Sequence, residues 1–554
     1  MKKNIFSKAL IGLSFIICHL SFSVVLTSCS TDSLDIEQPG VTPSDAYATA
    51  TDDQVDEYIA AIYAMTLGSS FEAQLNGGHA SYRSVLYEMT RMSGESAGGY
   101  AYNEAADANT YSYIWSYYYK LAYWCSMIIE RLPANQTCNQ TMKQQVIAEA
   151  RAMRAIAMMN LVQLYGNPPL ADHVMTGEEG NTPVAESWTF IEKELTEAAE
   201  TLPTKSGQDG QAAIGGRITR EAAYAYLGKA QLWQKKYTEA AQTLYNKVIA
   251  TGKYDLVSDF NTLNTSANDF SAENLWEYNF SDESSVAKSQ DGNFDLACFS
   301  PDLGVYSTTY GSLWMVFGMG AYPSKEFAEF MQTHDATATG TSGRYAGTLG
   351  DYPTALMSYV AMFNNYPYSI ANCQGYYRVK NMVTTGDLVG EFPYWYSKRN
   401  TVYMRYAEVL LNYAEAVAQG GNAGALSGLE ALNMVRRRAG LADAPALDMD
   451  NADYGVKAER RAELYNEGVR FIDLVRWGDA AIELKDCGKL TYTCNISQGA
   501  TMTIPGVGDI TTYTTDVVSS QTGGQGFKAG KNELFPIPAS DVNTNPNLTQ
   551  NPGW

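Results

Sequence analysis

The stretch "QQVIAEARAMRAIAMMNLVQLYGNPPL", residues 144 to 170, constrains the fold more than any other. Its apolar positions Val146, Ala150, Met153, Ala157, Leu161 and Leu164 step by three and four, the spacing that lines one face of an α-helix. The helix has to stop where the run ends, because Gly166 suits a C-terminal cap and Pro168-Pro169 cannot continue it. Helical patterning extends from about residue 44 to 250. In "REAAYAYLGKAQLWQKKYTEAAQTLYNKVI" it predicts two helices joined near Lys235-Lys236, with Leu227, Ala230, Tyr237 and Ala240 where a tetratricopeptide helix pair carries packing residues. The segment "YMRYAEVLLNYAEAVAQGGNAGALSGLEALNMVRRRAG" predicts a second pair turning at Gly420-Gly421. Its alanines let two helices approach while Leu, Tyr and Val fill the space between them.

Residues 251 to 400 read differently. They are rich in Gly, Asn, Ser, Tyr and Phe, hold few long helical patterns, and include the strand-like "NLWEYNF" and the loop "TATGTSGRYAGTLGDYP". Long loops and short strands over a helical frame are expected here, and loops of that length in a compact protein are functional or disordered. The aromatic content argues against disorder.

The N-terminus carries Lys2, Lys3 and Lys8, then an interrupted apolar run ending in Leu26-Thr27-Ser28-Cys29. That is the pattern of an export signal over residues 1 to 28, and the run is just at the length limit for spanning a bilayer. The Leu-x-Ser-Cys ending resembles a bacterial lipobox, which implies that Cys29 becomes a lipidated first residue holding the protein on a membrane without crossing it. A tether, "STDSLDIEQPGVTPSD", follows.

With 60 acidic against 39 basic residues the chain has a formal net charge of −21, and three of those lysines lie before Cys29. Nucleic acid and anionic lipid are therefore poor candidate ligands, since both require clustered Lys and Arg. Beyond Cys18 and Cys29 stand Cys125, Cys138, Cys298, Cys373, Cys487 and Cys494. Cys125 with Cys138, and Cys487 with Cys494, are close enough for short disulfide loops, but sequence does not set the connectivity. No C-x-x-C pair occurs, and His79, His173 and His334 lie far apart, so neither a metal nor a cofactor is expected.

Three patterns invite a catalytic or metal reading. Gly94-Glu95-Ser96-Ala97-Gly98 matches the G-x-S-x-G elbow, but the elbow needs a strand before Ser96, a helix after it and alternating strands and helices around it. The preceding "SYRSVLYEMTRM" is ambiguous and no alternation surrounds it, so a loop is the better reading. Asp448, Asp450 and Glu459 occupy the first, third and twelfth positions of an EF-hand-like loop, with Ala452 at the fifth and Asp453 where the turn glycine belongs. An ordinary acidic loop is expected there. On a helix, Glu463, Glu467, Arg470, Asp473 and Arg476 form one stripe of mixed sign, which is the pattern of architecture.

A binding site for sugars wants flat aromatic surfaces for the C–H face and amides or carboxylates for the hydroxyl rim. Two segments supply them: "GGYAYNEAADANTYSYIW" with Tyr100, Tyr102 and Asn103, and "PDLGVYSTTYGSLWMVFG" with Asp302, Tyr306, Tyr310 and Trp314.

Taken together, the lipobox Cys29 with "STDSLDIEQPG", "AEARAMRAIAMMNLVQLYGNPPL", "YMRYAEVLLNYAEA", "RRRAGL", "ERRAELYNEGVRFIDLVRWGDA" and the ending "ELFPIPASDVNTNPNLTQNPGW" resemble the SusD/RagB family of surface nutrient-binding lipoproteins. The resemblance implies a mainly α fold, with tetratricopeptide-like helix pairs framing a loop-rich, minor-β ligand-binding face. Its halves would be 46–250 and 401–554 around a ligand-facing 251–400, after a 29–45 tether. It also implies a place on the outer membrane, a SusC-type TonB-dependent transporter as partner, and capture of a glycan ligand without chemistry on it. Peptide capture by the same fold, a lipid-anchored hydrolase and a scaffold without small ligand are the alternatives.

Overall fold

The computed structural model describes residues 46–65, 82–205, 216–283, 322–351, 368–381, 387–389, 396–504 and 508–554, apart from Glu104, Asp107, Asn264 and Ala423. The N-terminal part is helical: α1 (Asp52–Met65), α2 (Tyr82–Met92), α3 (Asn109–Arg131), α4 (Gln140–Tyr165), α5 (Val184–Thr201), α6 (Arg220–Trp233) and α7 (Tyr237–Lys247). Asn139 opens α4 by accepting hydrogen bonds from the N–H groups of Thr141 (3.0 Å) and Met142 (3.1 Å), which satisfies donors the first turn leaves free. Gly166, at φ 73°, closes it in a conformation that favours glycine. All six periodic positions of α4 are buried, and so are Glu149 and Arg154, because α3 and α5 cover the helix from both sides. Further along, α5 packs on α6 and α6 on α7. At Gly228 a side chain would meet Leu244 Cγ at 2.5 Å, so the missing Cβ is what allows α6 and α7 to lie this close.

The loop-rich region is short strands and small helices. β1 (Asn274–Tyr278) leads to α8 (Lys325–His334), α9 (Gly343–Thr348), β2 (Leu349–Asp351), β3 (Tyr368–Ala371) and β4 (Tyr376–Arg378). Where "TATGTSGRYAGTLGDYP" predicts only loop, a two-residue ladder, α9 and β2 form, and α8 is a helix that the Gly- and Asn-rich composition hides. β1 pairs antiparallel with β5 (Thr401–Arg405), and Trp276 stacks on Tyr403 with centroids 4.3 Å apart. The expected second helix pair follows as α10 (Tyr406–Ala418) and α11 (Gly428–Arg438), with α10 also packed on α7.

Two elements depart from expectation. The stripe Glu463 to Arg476 is not one helix: α12 (Val456–Glu463) and α13 (Arg470–Trp477) are separated by a turn in which Asn466 (φ 60°) and Gly468 (φ 75°) are left-handed. The C-terminal part is not all helical either. β6 (Leu490–Ile504) and β7 (Gly508–Gln521) form a long antiparallel hairpin rich in Thr and Val, and β3 adds to its other edge. The tail folds back on the end of α4, where the Phe535 N–H donates to Leu164 O (2.7 Å) and the Asn551 amide donates to Tyr165 O (2.9 Å). No described helix is long and apolar enough to cross a membrane.

Candidate functional site

α12 and the turn that follows it place three glutamates among buried cations. Glu463 accepts from Arg405 (3.0 Å), Arg344 (3.2 Å) and Arg438; Glu467 accepts from Arg405 (2.5 Å) and Lys380 (2.5 Å); Glu459 accepts from Arg344 (2.5 Å) and Arg436 (3.0 Å). Arg405 and Arg438 share Glu273 as a further partner, and Arg344 reaches Asp335 at 2.7 Å. Burial pushes the Glu463 carboxyl up, but Arg438, Arg405 and Arg344 outweigh it and hold it at about 2. The network locks α8, α9, β5 and α11 onto α12. Such a cluster leaves little freedom to the elements above it, because breaking one ion pair leaves the others buried and uncompensated.

On this base sits a rim of half-exposed rings. Phe330 on α8, Tyr345 on α9 and Tyr376 on β4 pack on the small cluster of Phe327, Met331, Leu349 and Tyr465. Burial raises the Tyr376 hydroxyl above its ordinary value, and the charges of Tyr345, Glu329 and Asp351 raise it further. Gln332 donates to the Tyr345 hydroxyl (3.3 Å), Asp351 is the ladder partner of Tyr376, and Glu329 is exposed. Arg461 stacks over Phe330 (4.5 Å) while its guanidinium grips Glu326 (2.8 and 3.1 Å), which fixes the pitch of α8. Flat rings, two carboxylates and an amide within one patch have the composition that recognises sugar faces and hydroxyls. Tyr345 and Asp351 fall in the loop "TATGTSGRYAGTLGDYP", but none of these residues was among the individual ligand contacts expected from the sequence.

The residues expected from the sequence are divided. Tyr100 (0 % exposed) and Tyr102 (3 %) are core, which removes both from a ligand surface. Tyr102 donates to Met92 O (2.5 Å) and packs edge-on against Phe527 (5.3 Å), and Tyr100 packs between Tyr102 and Tyr111. Asn103 is exposed. Cys29, Asp302, Tyr306, Tyr310 and Trp314 lie outside the described residues, as do the signal, the tether, Gly77-Gly78, His79 and Cys298.

Ser96 is 6 % exposed and bridges to Pro323, with the Ala97 N–H donating to Tyr322 O (2.7 Å) and the Ser324 N–H to Glu95 O (2.8 Å). A helix, α2, precedes it in place of the strand an elbow requires, and no described histidine hydrogen-bonds it. Glu95, whose carboxyl burial pushes up, faces Arg461 (3.3 Å) and Arg470, so the loop is an anchor for the start of α8. The acidic loop is likewise structural. Asp448 accepts from the N–H groups of Asp450 and Asn451, Asp450 pairs with Lys457, and Glu459 is committed to Arg344 and Arg436. Among the described residues no group of three His, Cys, Asp or Glu is set to hold a metal ion.

A second buried acid pair lies beside β1. Glu277 accepts from the Phe270 N–H (2.7 Å) and the Asn274 and Asn400 amides, Asp269 accepts from the Asn400 N–H (3.1 Å), and neither has an ion-pair partner among the described residues. Burial, reinforced by Asp269, raises the Glu277 carboxyl to about 8, and burial raises Asp269 to about 7. A cavity of about 70 Å3 between α3, α4 and α6, walled by Tyr117, Tyr118, Tyr226, Trp276 and Tyr403, leaves the Trp276 indole N–H unpartnered. That volume suits a few waters and falls well below a ligand-sized pocket.

Tetratricopeptide-like helix pairs carrying a loop-built, aromatic and acidic face define a binding protein. The chain belongs to the SusD family, whose description matches residues 272–554, just over half of it; a second description, starch-binding associating with outer membrane, matches residues 33–232. SusD-like protein P25 of Formosa agariphila is 23% identical over 424 residues, covering 69% of this chain and 74% of that one. Among solved structures, a laminarin binding SusD-like protein (23% identity, TM-score 0.65) is similar across 91% of this chain and 100% of its own. So are surface glycan-binding protein A from Bacteroides thetaiotaomicron in complex with laminarihexaose (19%, 0.65) and a SusD-like carbohydrate binding protein from Bacteroides fragilis (20%, 0.68), each over the same shares.

Proposed function

We propose that this protein is a surface-exposed lipoprotein, anchored through Cys29 to the outer membrane, that captures oligo- or polysaccharide and delivers it to a SusC-type TonB-dependent transporter. The observation that carries the binding part is the rim of Phe330, Tyr345 and Tyr376 with Glu329, Asp351 and Gln332, set on a base of buried ion pairs. Asn103, Asp302, Tyr306, Tyr310 and Trp314 remain proposed ligand contacts on the strength of the sequence alone. Relatives named for laminarin and laminarihexaose make a β-glucan the first ligand to try. Binding of this kind is weak per ring and gains from several contacts along one polymer. The test is titration calorimetry with Tyr345→Ala and Tyr376→Ala, each of which should weaken binding by about 0.5–1.5 kcal/mol, the value of one aromatic contact. Unchanged affinity in the double variant, with the fold intact by circular dichroism, would move the site elsewhere on the loop face.

A further inference from the structure

The five described cysteines carry free thiols, and neither pair suggested by closeness in sequence is bonded. Cys125 faces Arg154 and Glu194 from within α3, and Cys487 lies against Arg91 and the Gly94–Gly99 loop. Cys494 meets a different cysteine. On β6 it stands opposite Ile370 of β3; the chain then turns at Asn372 (φ 55°), whose N–H donates to Tyr492 O (2.7 Å), and brings Cys373 back beneath the sheet. Both side chains are wholly buried. The Gly375 N–H donates to Cys373 Sγ (3.4 Å), the Cys373 thiol donates to Tyr376 O (3.6 Å), and the Cys494 sulfur lies close enough to interact with both Cys373 and the Gly375 N–H.

From this juxtaposition we infer that Cys373 and Cys494 are a disulfide-forming pair that, once oxidised, staples the β3–β4 segment to the β6–β7 hairpin. An outer-surface protein meets the oxidising conditions such a bond requires, and the pair is remote enough in sequence that no spacing rule would find it. The chemistry is thiol–disulfide exchange with a disulfide-carrying oxidant. One cysteine thiolate attacks the carrier disulfide as the chain folds, forming a mixed disulfide and releasing one carrier thiol. As β3 docks on β6, the second cysteine displaces the other carrier thiol; two electrons pass to the carrier and two protons are lost.

The staple has a consequence for the rim. Gln374, next to Cys373, accepts from the Lys325 N–H (2.8 Å) at the start of α8, and Tyr376 follows two residues later. A bridge at 373 would therefore hold α8 and β4 in their relative positions, an effect on ligand affinity that rests on the proposed glycan site, while the bridge itself does not.

The experiment is differential alkylation of the full chain after equilibration in oxidised and reduced glutathione, with unreacted thiols blocked under denaturing conditions and the peptides mapped by mass spectrometry. The expected result is a peptide pair joined through Cys373 and Cys494 in the oxidised sample, absent in the reduced one, and a Tm several degrees higher for the oxidised protein. Cys373→Ser and Cys373→Ala should each abolish both the joined pair and the redox dependence of the Tm. Free thiols at both positions after the chain has been unfolded and refolded in the oxidised glutathione buffer, or a bridge from either to another cysteine, would overturn the inference. A bridge that forms without changing glycan affinity would leave the staple standing and separate it from the ligand site.

Discussion

Glu463 is the residue on which the buried network converges, since Arg344, Arg405 and Arg438 all reach it. Glu463→Ala removes the one carboxylate common to three buried guanidiniums. We expect a loss of about 3–5 kcal/mol in urea unfolding, the usual cost of breaking a buried ion pair from one side; a loss under 1 kcal/mol would mean that water enters the cluster. The acids beside β1 act with the opposite sign. The folded Glu277 carboxyl, at about 8 against an ordinary 4.5, binds its proton more tightly than the unfolded chain does. Its contribution is therefore fully present below the unfolded value and is lost as pH rises through about 8, with Asp269 adding a loss up to about 7. Glu277→Gln, which stays neutral, should flatten the stability profile between those limits and leave the variant more stable than the parent at the alkaline end. An unchanged slope would place the ionisation elsewhere.

At the scale of elements, the helix pairs were legible because their packing faces repeat every three or four residues and their joints are marked by Lys235-Lys236 and Gly420-Gly421. Gly421 ties the two pairs together. A side chain there would press on the carbonyl oxygens of Tyr237, at the start of α7, and Ala416 (2.7 Å). Gly421→Ala should cost about 1–3 kcal/mol by overpacking, seen as a lower Tm, whereas Gly420→Ala meets no neighbour and is strained only by its φ of 94°. The β6–β7 hairpin escaped the sequence reading because it is rich in Thr and Ser and even Val517 and Val518 face outward, without a clear apolar alternation; among its described side chains only Cys494, Ile496 and Tyr513 are buried. Tyr100 and Tyr102 were misread for a related reason. Their Gly- and Ser-rich neighbours look like an exposed loop, and the ring that covers Tyr102, Phe527, comes from the far end of the chain.

For the whole molecule, the proposed ligand face is built where distant segments meet. Phe330, Tyr345 and Tyr376 come from three short elements and stand on charged residues of α12 and the turn after it, so no single local motif assembles the face. The stripe was correctly read as architecture, though as a single helix instead of two with a left-handed turn between them. That turn is what points Glu463 and Glu467 at Arg405 together. An acidic protein whose ring-bearing loops stand on a rigid base is suited to holding a neutral polymer without altering it. The most direct test is affinity electrophoresis of the protein through gels containing laminarin and a panel of other polysaccharides, with each polymer assayed afterwards for new reducing ends. Retarded migration in at least one polymer with no new reducing ends is the predicted result. Cleavage of a retarding polymer, or migration unaffected by every glycan while peptides bind, would contradict it.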